Sequence, residues 1–217
     1  MRVLLTGFGP FPGAPSNPSQ ALLAALVRRR RPAFDTIERR SHVFPTVYAA
    51  VDRELPQLVA MKPDIVLMFG LAGRARTVRI ETRARNAISV LFPDAAGRSP
   101  RQGVIARMQA SSVTTRAPSR ILLGAVRASR VPATLSRDAG RYLCNYAYWR
   151  ALEHFAARGR PILVQFVHIP RLRNDARPRR PRRRHAPTLS DLVVATESIL
   201  IALIAARRRN GTAFRTK

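Results

Sequence analysis

The run DIVLMFG at 64–70 decides the fold: after Asp64 it is apolar without interruption and it closes on a glycine. Nothing polar alternates along it, so a strand here is covered on both faces, the pattern of a parallel sheet with helices above and below. Upstream, RVLLTGF (2–8) reads as a first strand and GPFPGAPSNP as a loop forced by its Gly and Pro content. Asn17 followed by Pro18 is a helix cap and first-turn proline leading into SQALLAALVRRR. FDTIERRSHVF (34–44) reads as a second strand, and TVYAAVDRELPQLVAMK (46–62) as a helix that Pro56 could break. Downstream, TVRIETRARNAISVLF (77–92) is extended, as one segment or two, and 96–119 is a Gly-, Pro- and Ser-containing surface region. SRILLGAVRAS (119–129) is a helix, VPATLS (131–136) a strand, Asn145 to Ala157 a helix and PILVQFVHIP (161–170) a strand. The final helix is capped by Thr188 or Ser190. This alternation predicts a single-domain three-layer α/β/α sandwich over 1–217 with a mostly parallel mixed sheet.

A chain of 217 residues can bury a substantial core, and one cysteine excludes an intramolecular disulfide. A cytoplasmic, reducing setting follows, and a lone thiol has no second cysteine with which to share a zinc; no metal or cofactor is expected. The N-terminal MRVLLTGFGPFPG breaks at Gly7 and Pro10, too early for a signal-peptide core. The stretch LVVATESILIALIAA (192–206) is interrupted by Thr196, Glu197 and Ser198 and falls short of the roughly 20 residues a membrane span needs. It reads as a core helix, not a membrane contact.

The formal charge is +27, which ordinarily points to nucleic acid through phosphate neutralisation and counterion release. Of the 39 basic residues only Lys62 and Lys217 are lysines, leaving 37 arginines spread through nearly every segment. A GC-rich coding sequence produces that bias by itself, so incidental basicity ranks above nucleic-acid binding. The densest cluster, RLRNDARPRRPRRRHAPT (171–188), has no apolar periodicity and reads as an Arg/Pro-rich surface loop.

In such a sandwich, active sites gather where strands end and helices begin. Cys144 in DAGRYLCNYAYWRALEHF sits there, with VPATLS as incoming strand and a helix beginning beside it. A helix N-terminus lowers a thiol pKa and can hold an oxyanion. The bland alternative is an inert core thiol. A thiolate nucleophile needs a histidine base. His154 lies ten residues along the same helix, roughly 15 Å away, and cannot reach. His185 sits in the arginine loop, and His42 within the second strand reads as structural. His168 closes a strand and shares the sheet edge with the turn before Cys144, so geometry favours it over a merely satisfied strand-end histidine. For the orienting carboxylate, Glu81 competes with Asp94 and Asp138, and spacing alone makes Glu81 an ordinary ion-pair partner of Arg79, Arg83 or Arg85.

These residues carry a resemblance to the pyroglutamyl peptidase I family, cytosolic cysteine exopeptidases. LLTGFGPFPGAPSNPS resembles its opening TGFxPFGG…NPS; PDIVLMFGLAGRARTVRIETRARNA resembles its G-x-A-G turn and E-x-x-A-x-N segment; DAGRYLCNYAYWRAL and FVHIP resemble its cysteine and histidine motifs. The matches fall in order from 1 to about 170. The resemblance implies Cys144 as nucleophile, His168 as general base and acid and Glu81 as orienting carboxylate. It also implies Phe8 and Phe11 as the aromatic grip on a pyroglutamyl ring, with Thr46, Phe92, Tyr142 and Leu143 around the same pocket. The substrate implied is a peptide with N-terminal pyroglutamate, and the assembly a homotetramer. Departures are Pro12 within PFPG and Leu91 where many members carry an arginine; they leave open weakened activity or a different amide substrate.

Overall fold

The structure is a computed structural model and describes residues 1–11, 14–156, 162–173 and 186–213. Strands β1 (Arg2–Phe8), β2 (Glu38–Phe44), β3 (Ile65–Leu71), β4 (Val78–Glu81), β7 (Ala133–Ser136) and β8 (Leu163–Ile169) form a six-stranded sheet in the order β2-β1-β3-β8-β4-β7. Strands β1, β2, β3 and β8 run parallel; β4 is antiparallel to β8 and parallel to β7. A separate two-stranded ladder pairs β5 (Arg83–Arg85) with β6 (Ser112–Thr114).

Helices α1 (Pro18–Arg28), α3 (Ser119–Ala128) and α5 (Leu189–Ala213) cover one face of the sheet, through a core of Leu22, Leu26, Leu67, Phe69, Ile80, Val167, Leu192 and Ile199. Helices α2 (Tyr48–Ala60) and α4 (Leu143–Ala156) cover the other, where Leu4, Val66, Met68, Trp149, Val164 and Phe166 meet. The split follows strand alternation: in β3, Leu67 and Phe69 point to the first face, Val66 and Met68 to the second. Two layers of helix on one mixed sheet is the architecture expected from the sequence.

Element boundaries depart from the expected ones for local reasons. Residues 34–37 are not strand: Pro32 starts a 3-10 turn over Pro32–Phe34, and β2 begins only at Glu38. Pro56 does not break α2, because it lies on the exposed side of the helix, where the missing N–H costs only a solvent-facing bond. The surface region 96–119 contributes β6, whose partner strand β5 supplies the hydrogen bonds that its own sequence does not advertise. Helix α4 starts at Leu143, earlier than expected, which places Cys144 inside its first turn.

Thr188, not Ser190, caps α5: its Oγ1 accepts from the Asp191 N–H at 3.1 Å while Asp191 Oδ2 accepts from the Thr188 N–H at 2.8 Å. A 22-residue portion of α5, Leu189–Asn210, is long and apolar enough to cross a membrane, yet 56% of its most apolar window is buried in the protein. Its one buried acid, Glu197, accepts from Arg29 and Arg31, tying α5 to the end of α1. The Arg/Pro-rich loop expected at 171–188 lies largely outside the described residues, as do Pro12 and His185.

Candidate active site

Strand β8 carries His168 one residue before its end, and its neighbour across the antiparallel pair is β4, with Arg79 opposite His168 and Glu81 opposite Phe166. Alternation turns Val78 and Ile80 into one core and leaves Arg79 and Glu81 on the face that α4 covers. There the Glu81 carboxylate, fully buried, lies with Oε1 2.8 Å from His168 Nδ1. Each rival carboxylate is engaged elsewhere: Asp94 caps another element, and Asp138 pairs with Arg85 at 3.3 Å and accepts from the Gly140 N–H. The ion pair read from spacing is also present, since Arg79 Nε lies 3.5 Å from the same Glu81 Oε1. Arg83 instead donates to the Arg137 carbonyl.

Cys144 arrives from the other side. Strand β7 ends at Ser136, and Gly140, at φ +85, turns the chain in a left-handed conformation that glycine adopts without strain. The Tyr142 carbonyl then accepts from the Tyr146 N–H at 3.0 Å, so Tyr142 precedes the first turn of α4 and the N–H groups of Leu143 and Cys144 lack helical acceptors. The helix start is fixed by Asn145, fully buried, which accepts from the Arg85 N–H at 2.8 Å and donates to the carbonyls of Arg85 and Ala87.

The thiol of Cys144 is hydrogen-bonded to the His168 imidazole. Burial disfavours the imidazolium, but hydrogen bonds with Cys144 and Glu81 and the charges on both outweigh it, pushing the His168 pKa up to about 9. With Nδ1 turned to Glu81, Nε2 is the nitrogen left for sulfur. Gly70 of β3 makes the room: a Cβ there would sit 2.6 Å from Cys144 Sγ and 2.8 Å from the Phe166 ring. The sequence marked this glycine only as a strand end.

Aromatic residues border the thiol. The Tyr142 ring lies 6.5 Å from Phe11 and 6.0 Å, edge-on, from Tyr48. Burial raises the pKa of both phenols, with the negative charge of Asp94 adding to each. Phe8 is buried against Phe44, with ring centroids 5.9 Å apart. Thr46 Oγ1 donates to the Gly9 carbonyl, and Asn17 Nδ2 donates to the same oxygen, fastening the loop that carries Phe11. Leu143 is buried in the core beneath α4, so it offers the site its backbone. Leu91 and Phe92 are 80% and 63% exposed on a loop tied back by Tyr142, whose hydroxyl donates to the Pro93 carbonyl at 2.8 Å.

The other histidines among the described residues stay apart: His42 pairs with Glu54 at 2.9 Å, and His154 lies near the end of α4. Sequence reasoning did not single out Tyr48, Asn145 or Gly70. Asn145 follows the cysteine directly, and that adjacency was the available signal; Tyr48 and Gly70 matter through contacts that only the fold creates.

Comparison with known proteins gives one consistent answer. The profile of the pyroglutamyl peptidase family matches residues 1–208. The pyrrolidone-carboxylate peptidase of Thermococcus onnurineus is 31% identical over 177 residues, covering 81% of this chain and 86% of the relative. Pyrrolidone-carboxylate peptidase 1 of Ralstonia nicotianae is 31% identical over 201 residues, covering 91% and 92%. Among solved structures, the pyrrolidone carboxyl peptidase from Thermococcus litoralis aligns with TM-score 0.86 at 26% identity over 96% of each chain. Pyroglutamyl peptidase I of Bacillus amyloliquefaciens aligns with TM-score 0.82 at 25% identity, covering 95% of this chain and 98% of that one.

Proposed function

The chain belongs to the pyroglutamyl peptidase family, cysteine peptidases that remove N-terminal pyroglutamate, and we propose that Cys144, His168 and Glu81 carry this reaction in it. The observation behind the assignment is the continuous link of thiol, imidazole and buried carboxylate, with His168 Nδ1 2.8 Å from Glu81 Oε1.

In the reaction, with its proton already resting on His168 Nε2, Cys144 Sγ attacks the carbonyl carbon joining pyroglutamate to the next residue. The tetrahedral oxyanion is received at the N-terminus of α4, where the first-turn N–H groups and the helix dipole favour negative charge. His168 gives its proton to the departing amine, the C–N bond breaks, and a thioester to Cys144 remains. Water, deprotonated by the now neutral His168, hydrolyses the thioester and restores the thiol. Glu81 holds the imidazole in the tautomer and orientation both steps need and stabilises its charged form.

Pyroglutamate is a neutral lactam without a free amine, so an aromatic surround suits it better than a carboxylate that would meet an ammonium. Phe11, Tyr142 and Tyr48 supply that surround, Phe8 and Thr46 support the loop bearing Phe11, and the proposal includes Phe92, on its exposed loop, as a further aromatic contact. Leu91 brings no charge to the oxyanion, which favours a slower rate than an arginine there would allow. A cytoplasmic setting suits an enzyme whose only cysteine must remain a thiol. Assembly as a homotetramer remains part of the proposal. Acid quenching during turnover of a pyroglutamyl peptide tests the chemistry: intact mass is expected to rise by one pyroglutamyl group, localised to Cys144. A quenched enzyme with no adduct while product accumulates would contradict a thioester route.

A further inference from the structure

Building on the triad just proposed, we propose that Arg79 is a positioning residue for it, a cationic strut that fixes the Glu81 carboxylate and ties it to the turn carrying Cys144. Glu81 is fully buried, and its two oxygens differ. Oε1 receives both His168 Nδ1 at 2.8 Å and Arg79 Nε at 3.5 Å, whereas Oε2 has no hydrogen-bond partner among the described residues. Every side-chain restraint on the carboxylate therefore passes through Oε1, and apart from His168 itself the restraint is Arg79.

The guanidinium has a second attachment. Its NH2 donates to Ser136 Oγ at 2.7 Å and to the Asp138 carbonyl at 2.9 Å. Ser136 Oγ also accepts from the Asp138 N–H at 3.2 Å, so the turn leaving β7 is closed upon the same contact. That turn runs through Gly140 into the helix start that bears Cys144. One planar fork thus joins the carboxylate end of the triad to the segment presenting the nucleophile, across β4 and β7, which pair Glu81 with Ser136 in register. A lysine would keep the charge without the fork. Among the described residues the Arg79 side chain bonds to Glu81, Ser136 and the Asp138 carbonyl, so its influence on the imidazole runs through Glu81.

The groups facing His168 are Glu81 and Arg79 from β4 and Cys144 from α4; Tyr148 of α4 donates its hydroxyl to the Glu81 carbonyl. Arg79 is the one cation of that set. Removing it leaves the imidazolium with one fewer repelling charge.

The test uses the full chain with wild type, Arg79→Gln, Arg79→Lys, Ser136→Ala and Glu81→Gln, and the double variant Arg79→Gln/Glu81→Gln. The first readout is turnover of a pyroglutamyl coumarin amide. Arg79→Gln is expected to lower kcat about tenfold, within the usual range for coupled neighbours, while KM stays within about twofold. In the Glu81→Gln background the same change should cost almost nothing, because the group it positions is gone. Ser136→Ala, which removes a single contact of the fork, should show a smaller loss of the same kind, and Arg79→Lys an intermediate one. An equal loss in both backgrounds, or no loss at all, would overturn the proposal. The second readout needs no turnover and keeps the strut separable from the substrate assignment: the pH dependence of iodoacetamide alkylation at Cys144. The step at which His168 loses its proton should move up by roughly half a pH unit in Arg79→Gln and stay near wild type in Arg79→Lys. A step unmoved in Arg79→Gln would count against the strut even if wild type proved inert towards the coumarin amide.

Discussion

His168 shows how local chemistry sets the behaviour of the site. Its pKa, pushed up to about 9 against burial by Cys144 and Glu81, keeps the imidazole protonated at neutral pH, the form that protonates a leaving amine. Because the folded value lies above the unfolded one of about 6.5, this interaction stabilises the fold fully below that pH and is lost as pH rises through about 9. The profile of kcat/KM should accordingly fall on the alkaline side near pH 9; an alkaline limb near pH 6.5 would mean that the imidazole is not held by its two partners. Gly70 works through absence of a side chain. In Gly70→Ala the new methyl meets Sγ and the Phe166 ring inside normal contact distance, on a buried strand with no room to recede. We expect kcat/KM to drop by about 10²-fold or more, the scale of a 1 Å misplacement, and stability by about 1–3 kcal/mol from overpacking. Kinetics together with thermal melts check both, and full activity would show that Cys144 does not pack against β3. Residue types were legible here only in part. Spacing could rank His168 above His154 and could not choose among Glu81, Asp94 and Asp138, because the choice depends on β4 running antiparallel to β8.

Elements decide which loops are rigid. Helix α2 begins after Val47, which has no side chain to cap it; the cap comes from 46 residues away. Asp94 Oδ2 accepts from the Tyr48 N–H at 3.1 Å, while Oδ1 accepts from the N–H groups of Ala96 and Arg98 at 2.9 and 3.0 Å. One buried carboxylate therefore caps a helix start and closes the turn that follows the loop bearing Leu91 and Phe92. Replacing it in Asp94→Ala should cost about 1–2 kcal/mol, as for a lost cap, and raise KM more than it lowers kcat, since the loop borders substrate and not the triad. Melting temperature and Michaelis constants read the two effects; a kcat loss with KM unchanged would place the loop's role elsewhere. Periodicity revealed α1, α3, α4 and β3 because each has a continuous apolar face. It missed β6, which is short and only half-buried and exists because β5 pairs with it, and it extended β2 backwards over a proline-initiated 3-10 turn.

At the scale of the molecule, the sandwich was readable because a doubly covered strand such as β3 permits few alternatives, and the ordered motifs along the chain fixed the family before any contact was known. Net charge located nothing by comparison: internal pairs such as Arg29 and Arg31 on Glu197 engage a few of the 39 basic residues, and with 12 acidic residues in the chain most of the +27 has no partner within the fold. What the whole fold does is bring β7's turn, β8's end and the antiparallel strand β4 to one point, so that a single thiol meets a histidine and a buried acid. The central claim is that this point hydrolyses pyroglutamyl amides through Cys144. Its most direct test is hydrolysis of a pyroglutamyl coumarin amide by wild type and by Cys144→Ala at matched concentration, after melts show both folded. We expect turnover by wild type and a rate indistinguishable from background in Cys144→Ala; equal turnover by the two proteins would rule out Cys144 as the nucleophile.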